Sequence, residues 1–478
     1  MTLRIGDFAA LPTAVLRNCD AIAEHVPTRV VTDSREAGPE VVFVAFRGSR
    51  TDAHDFVPDV LRRGALACVV ENRWWRKHRD SVRDLPLIVV ADTMKAYGGI
   101  AKMHRASFDV PVVGITGSNG KTGSKEMVAA VLRTRYRVLH TEGNLNNHIG
   151  LPATLLRLTA EHQVVVTEMG TNQPGDIAWL CDIARPTHGV ITNIGRAHIE
   201  KLLSREGIAA EKSALFAALP SSGTAILNAD EDLLSAAVPR RVPRISFGTR
   251  RKADVRLENV RLDADGRAIA RIVAPRFMSK PLTLRLQSVG RHSALNAAAA
   301  VAVGFAFGCP VSKMKMALES VAPVDKRLQT HRVGGVLVIN DSYNANPDSV
   351  LAALDVLRGI RIAGRRCAVL GDMLELGADA RTEHERIGAA VVEARIPYVL
   401  TFGKLARGIQ RGALQKAMET GFPVLALHFT DKAELAGNLS ALLTDGDAVL
   451  VKGSRGMRME EIVEVIVREF TSDEAQTA

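Results

Sequence analysis

Short, unbroken apolar runs alternate with longer amphipathic stretches along most of this chain. The first hundred residues carry three such runs, VVFVAF (41–46), ALACVV (65–70) and PLIVVAD (86–92), followed by a helical stretch over 93–107. A tighter rhythm of buried strand, glycine turn and helix begins at PVVGITG (111–117). It repeats at VVVTEMG (164–170), HGVITNIG (188–195) and TAILNAD (224–230). Runs of this kind predict strands covered on both faces, as in a parallel α/β sheet, with functional residues at the strands' C-terminal ends. Between 250 and 286 the pattern shifts to short alternating strands, which predicts a small antiparallel insert, closed by helices over 293–307 and 312–321. The strand–helix rhythm restarts at GVLVIND (335–341) and continues at 366–372, 398–403, 424–429 and 448–454. The expectation is an α/β protein of three domains, 1–107, 108–322 and 323–478.

Composition narrows the class. At 478 residues, 47% hydrophobic and 24% charged, the chain has the balance of an ordinary soluble protein. Its longest small-apolar run, 297–311, falls short of the roughly 20 residues a membrane span needs, so it reads as a buried helix. Asp7 stands where an export signal would be apolar, so a cytoplasmic location is expected. Five scattered cysteines without a CxxC pair read as reduced core thiols rather than a zinc site. The net charge of +10 suits an anionic ligand. The densest basic cluster, Arg240 to Lys252, lies among prolines and turn residues and reads as solvated surface, so no nucleic acid is expected as a partner.

The sharpest chemical signal lies at Thr116-Gly117-Ser118-Asn119-Gly120-Lys121-Thr122, between a buried strand and a helix. Backbone amides of such a loop and the positive end of the helix suit phosphate oxygens. Lys121 can reach the β- and γ-phosphates, and the Thr122 hydroxyl can bind Mg²⁺. The standard GxxxxGK[ST] spacing would need glycine at Ile115; the glycines fall at 114 and 117 instead.

TGSNGKT (116–122) resembles the phosphate loop of the Mur ligases and folylpolyglutamate synthetases, and further marks of the Mur ligases follow in order. TEGNLNNHIGLP (141–152) is similar to their GNxNNxIGxP segment, which brings in Asn144 and Asn147 as substrate residues. EMG (168–170) and NIGRAH (193–198) match the segments whose glutamate and histidine hold Mg²⁺, which implies Glu168 and His198 here. EGIAAEK (206–212) resembles the segment whose lysine is carbamylated and bridges to the metal, which implies Lys212; Ser213-Ala214 follow where the family usually has Gly-Glu. GRHSALN (290–296) is similar to the adenine-side segment, implying Asn296. Arg327 falls where the family has an arginine near the phosphates. DSYNANP (341–347) marks the branch that adds D-alanyl-D-alanine, with Asp341 toward ribose and Tyr343, Asn344 and Asn346 toward substrate. Near the N-terminus, Ser34, Arg35, Gly48, Asp52 and His54 resemble the uridine-nucleotide site, although Ala53 stands where glycine is common.

The resemblance implies an ATP-dependent amide-bond ligase of three-domain α/β architecture, its central domain built on a P-loop-type parallel sheet and its C-terminal domain Rossmann-like. A substrate carboxylate attacks the γ-phosphate, and an amine then displaces phosphate from the acyl phosphate. Bringing two anions together demands cations, here Lys121, Arg327 and two Mg²⁺ ions held by Thr122, Glu168, His198 and Lys212. The implied partners are UDP-muramoyl-tripeptide and D-alanyl-D-alanine, taken up by a monomer without membrane insertion. Rival readings are a ligase adding a single amino acid, a motor or signalling NTPase, and a non-catalytic nucleotide module. Glu375, His384 and His292 stay open between ligand contact and structural support. The third domain is expected to close onto the second about a hinge at 322–326 and to stand open or variable without ligand.

Overall fold

The computed structural model describes residues 1–48, 51–196 and 199–477. Their strands form three sheets, and each sheet draws on one continuous stretch of chain. The first runs, in spatial order, Val15–Arg17, Leu87–Val90, Ala67–Glu71, Val41–Val44, Arg29–Val31, parallel except for its first pair.

The central sheet runs Leu282–Val289, Arg267–Val273, Val255–Leu262, Arg244–Gly248, Thr224–Asn228, His188–Ile191, Val112–Thr116, Val164–Glu168, Val138–His140. From Val138–His140 as far as Val255–Leu262 it is parallel; the last two strands are antiparallel. The expected antiparallel insert is therefore no separate body. Its first strand pairs with Arg244–Gly248 and prolongs the central sheet. The apolar pattern does not predict Arg244–Gly248, a five-residue strand inside the basic cluster.

Alternation explains why these strands read as unbroken apolar runs. Val113, Ile115, Val166 and Ile226 pack one way, against helices Lys121–Arg133 and Arg291–Ala306. Val112, Val165, Ile191 and Ala225 pack the other way, against helices Gly150–Leu155, Asp176–Ala184 and Arg205–Ala217. Both faces are dry, so both sets must be apolar. Arg291–Ala306 is the buried helix the composition called for, and its alanines let it lie close to Lys121–Arg133. A Cβ at Gly304 would stand 2.2 Å from Met314 Sδ and 2.8 Å from Val131.

The third sheet runs Gln329–Val333, Val336–Asp341, Ala448–Lys452, Arg366–Gly371, Tyr398–Phe402, Leu425–Phe429, all parallel but for its first pair. Neighbouring strands Val336–Asp341 and Ala448–Lys452 send their helices, Pro347–Gly359 and Glu460–Thr477, to opposite faces. That reversal opens a crevice at the C-terminal ends of the two strands. No described helix is long and apolar enough to cross a membrane.

Candidate active site

The phosphate loop hangs between strand Val112–Thr116 and helix Lys121–Arg133. Its two glycines are required by geometry. Gly117 has φ 150° and Gly120 φ 78°; a Cβ at Gly117 would fall 1.9 Å from Thr192 Oγ1, and one at Gly120 2.6 Å from Asn296 Oδ1. The neighbouring strand end clamps the loop. Ser118 N–H donates to Asn193 O at 3.1 Å and Asn119 N–H to Asn193 Oδ1 at 2.9 Å. Lys121 folds back, its ammonium donating to Gly117 O at 2.7 Å and Ser118 O at 3.3 Å. Burial pushes Lys121 below the usual lysine range, with Glu168 opposing the shift and Arg327 adding to it. Lys121, Glu168 and Arg327 line one cavity.

Glu168 ends the next strand, wholly buried. Its Oε1 accepts from Asn146 Nδ2 at 2.7 Å, and its N–H donates to Thr141 Oγ1 at 3.0 Å. Its Oε2 has no partner among the described residues, and neither does the buried Thr122 Oγ1. A lone carboxylate oxygen and a lone hydroxyl at the mouth of a phosphate loop are the hard oxygen donors Mg²⁺ takes, so these residues fit that ion. Among the described residues no group of three or more His, Cys, Asp or Glu gathers as a metal site, and His198 lies outside the described residues. Lys212 is 1% exposed. Burial, reinforced by the charge of Lys121 and opposed by Glu211, pushes its amine well below the usual range. Glu211 itself is spent on structure, accepting from Gly175 N–H at 2.7 Å and Ile177 N–H at 2.8 Å.

The crevice of the third sheet faces this loop across a cavity of about 530 Å³. Arg327 and Tyr343 line it, the guanidinium 3.9 Å over the tyrosine ring. Asp341 accepts from Lys452 Nζ at 2.6 Å, and Lys452 donates a second bond to Asn344 O at 2.8 Å. Asn296 and His292 close the cavity from helix Arg291–Ala306, Asn296 accepting from Ser124 Oγ at 3.2 Å. Burial holds His292 below the usual imidazole range, and the nearby Asp341 offsets part of that. The third domain is thus seated on the second. Direct polar contacts hold the two together, such as that of Asn346 with Asn119 at 2.9 Å.

Other expected substrate residues are distributed unevenly. Asn147 and Asn344 line the cavity, whereas the exposed Asn144 does not. Asn346, expected on substrate, lines the cavity too and at the same time caps helix Pro347–Gly359. Ser34, Arg35, Gly48, Asp52 and His54 all lie apart from the cavity, on the N-terminal sheet's loops. Arg35 is exposed and clasps Asp33, the Ser34 carbonyl accepts from Arg63, and Gly48 N–H donates to Thr51 O. His54 is fully enclosed, its Nδ1 2.6 Å from Asp52 and its Nε2 accepting from Glu71 N–H at 2.9 Å. Both nitrogens serve the fold, so His54 supports Asp52 instead of touching a ligand. His384 proves equally structural, between Met373 N–H and the Ala380 carbonyl.

The motif comparison gives no role to Asn146, Asn193 or the fully buried Lys125, whose ammonium holds the Thr141 carbonyl at 2.7 Å, and leaves the Lys452–Arg455 segment open. Each stands inside or beside a quoted segment. For Asn193 and Lys452 the signal available was a polar residue at the end of an apolar run, whereas Asn146 stands in a largely exposed polar stretch.

Residues 115–304 match the Mur ligase middle domain and residues 326–455 the Mur ligase glutamate ligase domain. The chain is 36% identical to the UDP-N-acetylmuramoyl-tripeptide–D-alanyl-D-alanine ligase of Bacillus subtilis, over 92% of this chain and 93% of that one. It is 37% identical to the Escherichia coli ligase of the same name, over 91% and 93%. The crystal structure of MurF from Acinetobacter baumannii superposes with a TM-score of 0.86 at 30% identity, covering 97% of this chain and 98% of that one. MurF ligase from Thermotoga maritima in complex with ADP gives 0.81 at 30%, covering 93% and 98%.

Proposed function

The chain belongs to the Mur ligase family, and from that premise we propose that it joins D-alanyl-D-alanine to UDP-N-acetylmuramoyl-tripeptide, using ATP, in peptidoglycan precursor synthesis. The observation that carries this reading is one cavity in which the phosphate loop and Glu168 face Arg327, Tyr343 and Asp341 from another domain. In the first step a carboxylate oxygen of the tripeptide bonds to the γ-phosphorus and ADP leaves. In the second the dipeptide amine bonds to the acyl carbon, loses its proton, and phosphate leaves.

Lys121 and Arg327 bring two positive charges to the transferring phosphoryl group, and the amides at the start of helix Lys121–Arg133 add their dipoles. Asn146 and the Thr141 hydroxyl orient Glu168. Asn296 lies on the nucleotide side with His292, and Asp341, steadied by Lys452, is assigned to ribose. Thr122 and Glu168, with His198 and Lys212, would hold two Mg²⁺ ions. When bound, these neutralise phosphate charge as Lewis acids. A protonated Lys212 would repel such ions. Burial favours its neutral amine, the form that adds CO₂ to become an anionic carbamate, so Lys212 is assigned that modification. Ser34, Arg35, Gly48 and Asp52 are assigned to the uridine nucleotide, and Asn147, Tyr343 and Asn344 to the peptide. Domain boundaries near 107 and 322 are supported by the gaps between sheets, whose strands span 15–90, 112–289 and 329–452. A cytoplasmic monomer completes the proposal.

A panel of amines tests the reading. With UDP-muramoyl-tripeptide and ATP, D-alanyl-D-alanine is expected to give a product heavier by the dipeptide less water. Single amino acids should give none. Product from glutamate or a single D-alanine, and none from the dipeptide, would move the chain to another branch of the family.

A further inference from the structure

Asn119 is fastened on two sides. Asn193 Oδ1 accepts its N–H at 2.9 Å, and its carbonyl accepts from Asn193 Nδ2 at 2.9 Å and Thr192 Oγ1 at 2.6 Å. Its backbone therefore belongs to the central sheet. Its side chain belongs to the other domain: Asn346 Nδ2 donates to Asn119 Oδ1 at 2.9 Å, and Asn119 Nδ2 donates back to Asn346 Oδ1 at 3.5 Å. A side-chain amide carries its donor and its acceptor on two separate atoms side by side, so a reciprocal two-bond pair of this kind suits asparagine or glutamine on each side.

Asn346 is at the same time the N-cap of helix Pro347–Gly359, its Oδ1 accepting from Ser349 N–H at 2.9 Å. The helix is thus set directly on the phosphate loop. The seat has a second support at the next strand end. Arg196 N–H donates to Asp348 Oδ2 at 2.9 Å, and the Arg196 guanidinium pairs with the buried Glu383. Gly195 makes the close approach possible: a Cβ there would stand 2.6 Å from Asp348 Oδ2 and 3.3 Å from Ser118 Cβ. Arg327 and Tyr343 belong to the same sheet domain as Asn346, so the arrangement that forms the amide pair is also the one that sets them on the cavity.

We infer that Asn346 is a positioning residue, which through Asn119 makes the working shape of the phosphate loop depend on the seating of the third domain. The inference rests on the ligase reading above. A loop completed only when Arg327 is in place withholds the γ-phosphate from water until the cavity is closed.

A double-mutant cycle tests it. Asn346→Ser keeps a good N-cap but is too short to reach Asn119, and Asn119→Ala keeps every backbone anchor of the loop. Each is expected to lower the ligation kcat by about threefold to tenfold, the scale of one hydrogen bond, with KM for ATP nearly unchanged. The double variant should be no slower than the slower single one. Amide hydrogen exchange of the peptide spanning Gly117–Thr122 should quicken in both single variants without substrate present. Full kcat in Asn346→Ser, multiplicative losses in the double variant, or a loss confined to KM would each overturn the inference. If the wild type fails to ligate, the functional reading falls while exchange still decides the link: unchanged loop exchange in both variants overturns it.

Discussion

Among single residues Lys212 stands out, because its place in the fold is costly. Burying an amine within reach of the Lys121 charge, with Glu211 only partly opposing, favours the neutral form, and the native state then binds fewer protons than the unfolded chain. Between its lowered pKa and the ordinary lysine value, stability must therefore rise with pH. Lys212→Met removes that penalty at similar volume. In bicarbonate-free buffer the variant should be more stable than the wild type by denaturant unfolding, by more at pH 7 than at pH 10, while ligation is lost. Equal stability at both pH values, or a fully active variant, would show Lys212 to be ordinary. The motif made Lys212 legible, yet its burial was not, since a helix lysine in EGIAAEK has the sequence of a solvated face. The reverse error befell His54, whose motif suggests a ligand while the fold encloses it between Asp52 and Glu71.

The strand–loop–helix element that carries the phosphate loop was fully legible, because a buried run ending in glycines and GKT admits little else. What the sequence could not disclose is why the glycines fall at 114, 117 and 120. The answer lies in neighbours distant in the chain, Leu215 and Met169 for Gly114, Thr192 for Gly117 and Asn296 for Gly120. Gly117→Ala must displace Thr192, whose hydroxyl also holds the Asn119 carbonyl. A cost of about 1–3 kcal/mol is expected, with weakened ATP binding by calorimetry. A variant of wild-type stability and affinity would mean the loop has room to spare. Elements without an apolar run were missed for a plain reason. The polar edge strand Gln329–Val333 and the short Arg244–Gly248 lack the two dry faces that made the others visible.

At the scale of the whole molecule, three bodies were foreseeable from where the strand rhythm stops and restarts, but not their arrangement. The antiparallel strands read as an insert because periodicity reports which faces are dry and not which edge a strand joins. That the third domain meets the second was expected, but the contacts that seat it, Asn119 to Asn346 and Arg196 to Asp348, were not legible because they join residues more than 150 positions apart. That seat is what unites Lys121, Glu168 and Arg327 in one cavity, and the ligase reading depends on it.

The most direct measurement of that reading is phosphate release from ATP in the presence of UDP-muramoyl-tripeptide, with and without D-alanyl-D-alanine. A cavity built to transfer the γ-phosphoryl group to a carboxylate and then yield to an amine predicts sustained release only with the dipeptide, one phosphate for each amide bond formed. Release at the same rate without the amine, or with ATP alone, would mark a hydrolase and contradict the account.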